Sequence, residues 1–120
     1  MTGFDADTLD ALRELREVGI RTDKHPGSAV AVWVVVAGDD VFVRSYRGAK
    51  GRWYRDLAGG GPATLEFAGR RLAVQAVPAN DAAAIEHASR EYMRKYGPGP
   101  YATAMVQPEI LATTLRLEPR

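Results

Sequence analysis

The chain has 120 residues, of which 46% are hydrophobic and 26% charged, and its formal net charge is +1. These values describe one soluble globular domain with enough apolar material for a real core, and they give no overall reason to expect a nucleic-acid partner. Cysteine is absent, which excludes disulfides, thiolate metal sites and cysteine nucleophiles.

In chain order, Asp5 or Asp7 is placed to cap a helix to about Val18. Its Leu9, Leu12, Leu15 and Val18 recur every three residues as one apolar stripe. Gly19 is expected to end it. Residues 20–24 read as a short strand or connector, and His25-Pro26-Gly27-Ser28 as a turn. Residues 30–36 are apolar without alternation, which predicts a strand buried on both faces. Gly38-Asp39-Asp40 is a hairpin turn. The strand 41–45 follows it, and the alternation puts Arg44 and Tyr46 on one face.

Residues 52–58 predict one or two helical turns, broken by Gly59-Gly60-Gly61-Pro62. Residues 63–67 and 70–77 flank Ala68-Gly69 as a second hairpin. Asn80 or Asp81 caps a long helix to about Tyr96, with Ile85, Ala88, Tyr92 and Tyr96 on one side. Gly97-Pro98-Gly99-Pro100 is a rigid break, residues 101–106 fit no single element, and residues 110–117 alternate as a last strand. Mostly antiparallel strands with helices outside fit an α+β barrel better than a doubly wound sheet.

The longest apolar run, residues 29–37, is far short of the about 20 residues needed to cross a bilayer. The start, Met1-Thr2-Gly3-Phe4-Asp5, lacks the basic-then-apolar pattern of a signal peptide, so a soluble cytoplasmic location is expected.

Positive charge is concentrated locally. Arg44, Arg47, Lys50, Arg52 and Arg55 are five of the 16 basic residues, interleaved with Tyr46, Trp53 and Tyr54. Ionised side chains just past a buried strand need water or an anionic partner, and a phosphate-bearing ligand is the natural candidate. No Gly-x-Gly-x-x-Gly or Gly-x-x-x-x-Gly-Lys-Ser/Thr occurs, so a Rossmann site or P-loop is not supported.

Other candidates have plainer readings. His25 and His87 lack ligand spacing, so no metal site is expected. His87 beside Glu86 reads as solvated, whereas His25 at a strand mouth is a candidate general acid. Asp39-Asp40 is explained by its turn. Ser28, Ser45 and Ser89 lie outside any Gly-x-Ser-x-Gly elbow, so a hydrolase triad has no support. Tyr92, Tyr96 and Tyr101 are expected to pack against the barrel rather than donate protons, and Trp33, inside a Val run, is expected in the core. Arg13, Arg16, Arg21 and Lys24, interleaved with acids, read as ordinary surface. No catalytic residue is identified.

The order strand, Gly-Asp turn, strand, Gly, Arg52-Trp53-Tyr54-Arg55-Asp56-Leu57, then Ala63 to Ala76 around Ala68-Gly69, resembles the flavin-binding split β-barrel superfamily. The nearest named branch is the deazaflavin-dependent nitroreductases, with their Trp-Tyr-x-Asn-Leu segment. The whole chain is also similar to an uncharacterised bacterial domain family associated with that superfamily. That likeness rests on Trp33-Val34-Val35-Val36, Val43-Arg44-Ser45-Tyr46-Arg47-Gly48, Lys95-Tyr96-Gly97 and Ala112-Thr113-Thr114-Leu115-Arg116-Leu117.

The resemblance implies a six-stranded antiparallel split barrel with outer helices, working as a homodimer with cofactor at its interface. The cofactor implied is FMN or the deazaflavin coenzyme. Carried over position by position, Arg44, Ser45, Arg47, Lys50 and Arg52 would hold its phosphate. Trp53 falls at the family's Trp, and Trp33, Tyr46 and Tyr54 could join it around the ring. Two positions depart from the pattern: Asp56 stands where the deazaflavin branch has Asn, and Gly59-Gly60-Gly61 replaces a less flexible link. The expected function is a flavin- or deazaflavin-dependent oxidoreductase acting on a small organic substrate. The alternative is a cofactor-free barrel that binds or transforms a small metabolite.

Overall fold

A computed structural model describes residues 3–120. Met1 and Thr2, which begin the segment read above for a signal peptide, lie outside the described residues. Seven strands, β1 (Val18–Thr22), β2 (Val30–Val32), β3 (Val34–Ala37), β4 (Asp40–Val43), β5 (Gly61–Phe67), β6 (Arg70–Pro78) and β7 (Leu115–Pro119), form one antiparallel sheet. Their order is β2-β1-β5-β6-β7-β4-β3. The two edge strands, β2 and β3, are separated in the chain only by Trp33. The sheet therefore curls until its ends meet, giving a nearly closed barrel.

That closure accounts for seven strands where six are expected. The apolar run changes partners at Trp33: Val32 lies opposite Val18 of β1, whereas Val34 lies opposite Val43 of β4. Both hairpins follow their turn chemistry. Gly38 has φ 62° between the paired residues Ala37 and Asp40. Ala68 and Gly69 have φ 50° and 74° between Phe67 and Arg70, the two positive values that a tight turn needs to match strand twist.

Inward side chains alternate along the strands. Val18, Ile20, Val34, Val36, Val41, Val43, Leu65, Val74, Leu115 and Leu117 form the interior. Leu9 and Leu12 of α1 (Ala6–Glu14) and Trp53 and Leu57 of α2 (Arg52–Leu57) join the same cluster. A second cluster lies outside the barrel wall. There Val35 and Phe42 pack against Ala84, Ala88, Tyr92 and Tyr96 of α3 (Ala82–Tyr96), Ala102 of α4 (Pro100–Ala104) and Ile110 of α5 (Pro108–Leu111). The prediction of burial on both faces therefore holds for β3, while in β2 Ala31 is exposed and Val30 only half-buried.

Other boundaries also move. Asp5 caps α1 by accepting from the Thr8 amide at 2.7 Å, and Asp81 caps α3 by accepting from the Ala84 amide at 3.1 Å. The first helix stops at Glu14, because Val18 and Gly19 are taken by the ladder to β2 and β5. Gly19 ends no helix; it sits in β1, where an added Cβ would lie 3.1 Å from the Ala29 Cβ. The predicted last strand splits: Pro108 opens α5, and the Thr113 and Thr114 hydroxyls donate to the Ile110 and Leu111 carbonyls before β7 begins at Leu115. Residues 101–106 fall mainly in α4 and its end. Among the described residues, no helix is long and apolar enough to cross a membrane.

Candidate functional site

The segment after β4 does not continue as a strand. Val43 is the last residue paired with β7, and beyond it the Ser45 amide donates to the Thr113 hydroxyl instead of a strand carbonyl. Arg44 and Tyr46 consequently do not share a face: Arg44 is 1% exposed and Tyr46 57% exposed. The Ser45 hydroxyl donates to the Gly48 carbonyl at 2.7 Å, and the Gly48 amide returns a bond to the Ser45 carbonyl at 2.9 Å. Gly48 adopts φ 65°, and a Cβ at Gly51 would stand 2.5 Å from the Ser45 Oγ. These glycines are what let the loop fold tightly over Ser45 before α2 starts.

The loop, α2 and the β2–Trp33 edge enclose a cleft of about 690 Å³. All six residues expected to bind cofactor, Arg44, Ser45, Arg47, Lys50, Arg52 and Trp53, line it. Arg55 adds a fifth basic side chain, and among the described residues no carboxylate lines the cleft. Trp33, Tyr46 and Tyr101 complete the aromatic part of its wall.

The five cations are not equivalent. Arg44 is internal: its Nε donates to Thr114 Oγ1 at 2.8 Å, Nη1 to the Met105 carbonyl at 3.1 Å and Nη2 to the Ile85 carbonyl at 2.9 Å. Its guanidinium also lies 5.4 Å from the centre of the Tyr92 ring. Burial pulls its pKa below that of a free guanidinium, partly offset by Tyr92. Arg47, Lys50, Arg52 and Arg55 are exposed, and among the described residues their side chains make no hydrogen bond or ion pair.

Trp33 packs against the outer cluster, as expected of a core residue, but it is only half-buried and also forms part of the cleft wall. The break between β2 and β3 turns its ring outward, where it stacks on Tyr96 at 4.4 Å with planes 6° apart and meets Tyr101 edge-on at 6.1 Å. Tyr92 and Tyr96 pack as expected. Their hydroxyls donate to the Trp33 carbonyl and to the Arg16 and Val34 carbonyls, and burial raises both phenol pKa values. Tyr101 does not pack with them; it is 61% exposed at the cleft. Tyr54 lies outside the cleft, edge-on to Trp53.

A family model described as "Uncharacterized protein conserved in bacteria (DUF2255)" matches residues 5–117. The chain belongs to this family. Its structure is similar to the crystal structure of conserved hypothetical protein Rv2991 from Mycobacterium tuberculosis, with a TM-score of 0.60. Identity is 14%, and the match covers 96% of this chain and 78% of that one. At that identity the likeness shows the fold alone. No curated protein matches the chain.

Within this family member, His25 and Asp56, singled out separately in the sequence, are brought together by the fold. Asp56 Oδ2 accepts from Thr22 Oγ1 at 2.7 Å and contacts His25 Nδ1 at 2.6 Å. Burial by itself would raise the Asp56 pKa, but the bonds from Thr22 and His25, with the charges of His25 and Lys24, hold it below the ordinary carboxylate value. That stabilisation is present above the ordinary value and is lost as pH falls through the lowered one. The available signal was Asp56 itself, a carboxylate where the resembled pattern has an amide. Tyr101 and Met105 at the cleft were equally hidden, since no local pattern joins them to Arg44.

Proposed function

We propose that the cleft binds a planar aromatic cofactor bearing phosphate, FMN or the deazaflavin coenzyme, and that the protein is an oxidoreductase acting on a small organic substrate. One observation carries the reading: among the described residues five basic side chains and no carboxylate line the cleft, and four of the five cations have no partner. The volume, about 690 Å³, lies in the roughly 300–1,000 Å³ range usual for small-molecule sites. The donor set therefore fits the group.

In this reading Arg47, Lys50 and Arg52 bind the phosphate by charge-assisted hydrogen bonds. Arg44 contributes positive potential from beneath, since its three bonds hold it in place. Ser45 acts by shaping the loop, because its hydroxyl hydrogen is spent on Gly48. Trp33, Trp53 and Tyr101 supply flat surfaces for a ring system and exclude water from one side. The cofactor, once bound, supplies hydride chemistry, while the protein orients and shields it. Tyr46 and Tyr101, exposed at the mouth, suit coverage by a second copy of the chain in a homodimer.

A second reading, a cofactor-free barrel that binds or transforms a small anionic metabolite, draws on Asp56. Its carboxylate is engaged by Thr22 and His25 and so departs in function as well as type from the resembled Asn. A visible spectrum of purified protein, followed by fluorescence titration with FMN and with the deazaflavin coenzyme, separates the two. Micromolar or tighter binding of either supports the oxidoreductase. Absence of binding by both refutes it in favour of the metabolite barrel.

A further inference from the structure

We propose that His25 is an acid–base residue in a small recess adjoining the cleft, with Asp56 as its positioning residue and Thr22 holding Asp56. The proposal rests on the cleft being the functional site and assigns that site its proton-transferring group.

Asp56 projects from α2 with its side chain 9% exposed, and His25 comes from the turn after β1 with its side chain 39% exposed. They meet through Nδ1 and Oδ2 at 2.6 Å, while Thr22 donates to the same oxygen. A carboxylate that accepts from Nδ1 fixes the ring's orientation and tautomer, leaving Nε2 as the atom that takes or gives a proton. It also balances the charge of the imidazolium that forms. An amide at position 56 would offer a neutral oxygen and no such balance, so the departure to Asp acquires a chemical reason.

His25, Asp56 and Thr22 line a small recess with Ser28, and that recess shares Val30, Arg52 and Trp53 with the main cleft. The charged groups set toward the pair are Lys24 and Arg52. Apart from Asp56 itself, no carboxylate among the described residues lines the recess.

The step is a proton transfer. A heteroatom-bound proton of the substrate moves to Nε2, leaving the electron pair on the substrate and a positive imidazolium against the Asp56 carboxylate. In the opposite direction Nε2–H returns the proton, and the partly exposed ring is reprotonated from water. The substrate class is accordingly one that gains or loses a proton at oxygen or nitrogen during its reaction.

The full chain with 15N-labelled histidine tests this, because His25 and His87 are its only histidines. In its neutral form His25 is expected as the Nδ1–H tautomer, whereas Asp56→Asn mixes the two tautomers. Carbethoxylation by diethyl pyrocarbonate, followed by mass spectrometry, then asks where Nε2 lies. With FMN at ten times its Kd, modification of His25 is expected to slow about tenfold by simple occupancy, with His87 unaffected. If FMN binds and His25 is not protected, the proposal fails and the cofactor reading stands. If FMN does not bind, the cofactor reading fails, and the tautomer alone decides: Nδ1–H with a reactive Nε2 supports the pair, and Nε2–H overturns it. Neither wild-type readout depends on a variant that must fold.

Discussion

Arg44 and the Arg47-to-Arg55 rim come from one short stretch of chain and have opposite fates. Arg44 is fully buried and ties three distant carbonyl or hydroxyl oxygens together, from α3, the end of α4 and the turn before β7. The rim cations, a few residues on, are exposed and, among the described residues, tied to nothing. The difference teaches that a cationic cluster must be divided before it is read. Its first member stabilises the fold, and only the members left unpartnered argue for a ligand.

The sharpest way to break this division is at Arg44. Arg44→Met is expected to cost about 3 kcal/mol or more, because charged hydrogen bonds worth roughly 1.5–3 kcal/mol each disappear and buried carbonyls lose their donor. Urea denaturation measures it, and Arg44→Lys should recover only part, since an ammonium cannot reproduce the guanidinium fork. An unchanged midpoint for Arg44→Met would mean that its contacts are incidental.

Gly51→Ala attacks the boundary between the two regions. The new Cβ would lie 2.5 Å from the Ser45 Oγ, so the Ser45–Gly48 turn must give way. A loss of about 1–3 kcal/mol is expected from this overpacking, together with weaker FMN binding as the rim is displaced. Stability and affinity that both match wild type would show the loop to be plastic there.

Lys95 offers a second internal cation for comparison. Its ammonium donates to the Leu12 and Val34 carbonyls, both at 2.8 Å, joining α3 to α1 and β3. Lys95→Met should cost about 1–2 kcal/mol by thermal or urea unfolding. Burial first, and Arg16 second, push its pKa from 10.5 down to about 8. Between those values the unfolded chain holds more protons than the folded one, so stability should rise with pH across that window. Comparing wild type with Lys95→Met over that range isolates the effect; parallel curves would contradict it.

The smallest stability effects belong to the rim. Arg47→Ala and Arg52→Ala should each change stability by no more than about 0.5 kcal/mol, as exposed substitutions do. FMN affinity should nonetheless fall roughly tenfold for each, and added salt should narrow the gap. A rim variant that unfolds early would place that residue with Arg44.

Much of the architecture was legible because local chemistry dictated it. Gly38-Asp39 and Ala68-Gly69 marked their hairpins, and Asn80-Asp81 marked the start of α3. Residues 18–19 misled because an apolar stripe at helical spacing runs up to Val18, and the ladder that claims it lies in segments remote in sequence. The break at Trp33 was invisible for a similar reason: a continuous Val-rich run carries no sign that its halves pair with different strands. Within the site, Arg47, Lys50, Arg52 and Trp53 were legible as contiguous chemistry. The internal fate of Arg44 was not, since its acceptors at positions 85, 105 and 114 are carbonyl and hydroxyl groups that leave no charge signature. His25 and Asp56, 31 positions apart, meet only through the fold.

The central claim is that the unpartnered rim cations bind a phosphate. Titrating FMN and riboflavin, which share the ring system and differ in the phosphate, tests it most directly. Wild type should bind FMN at least about a hundredfold more tightly than riboflavin, and the Arg47→Ala, Lys50→Ala, Arg52→Ala triple variant should lose most of that preference. Equal binding of the two ligands by wild type, or a preference that survives in the triple variant, would contradict the account.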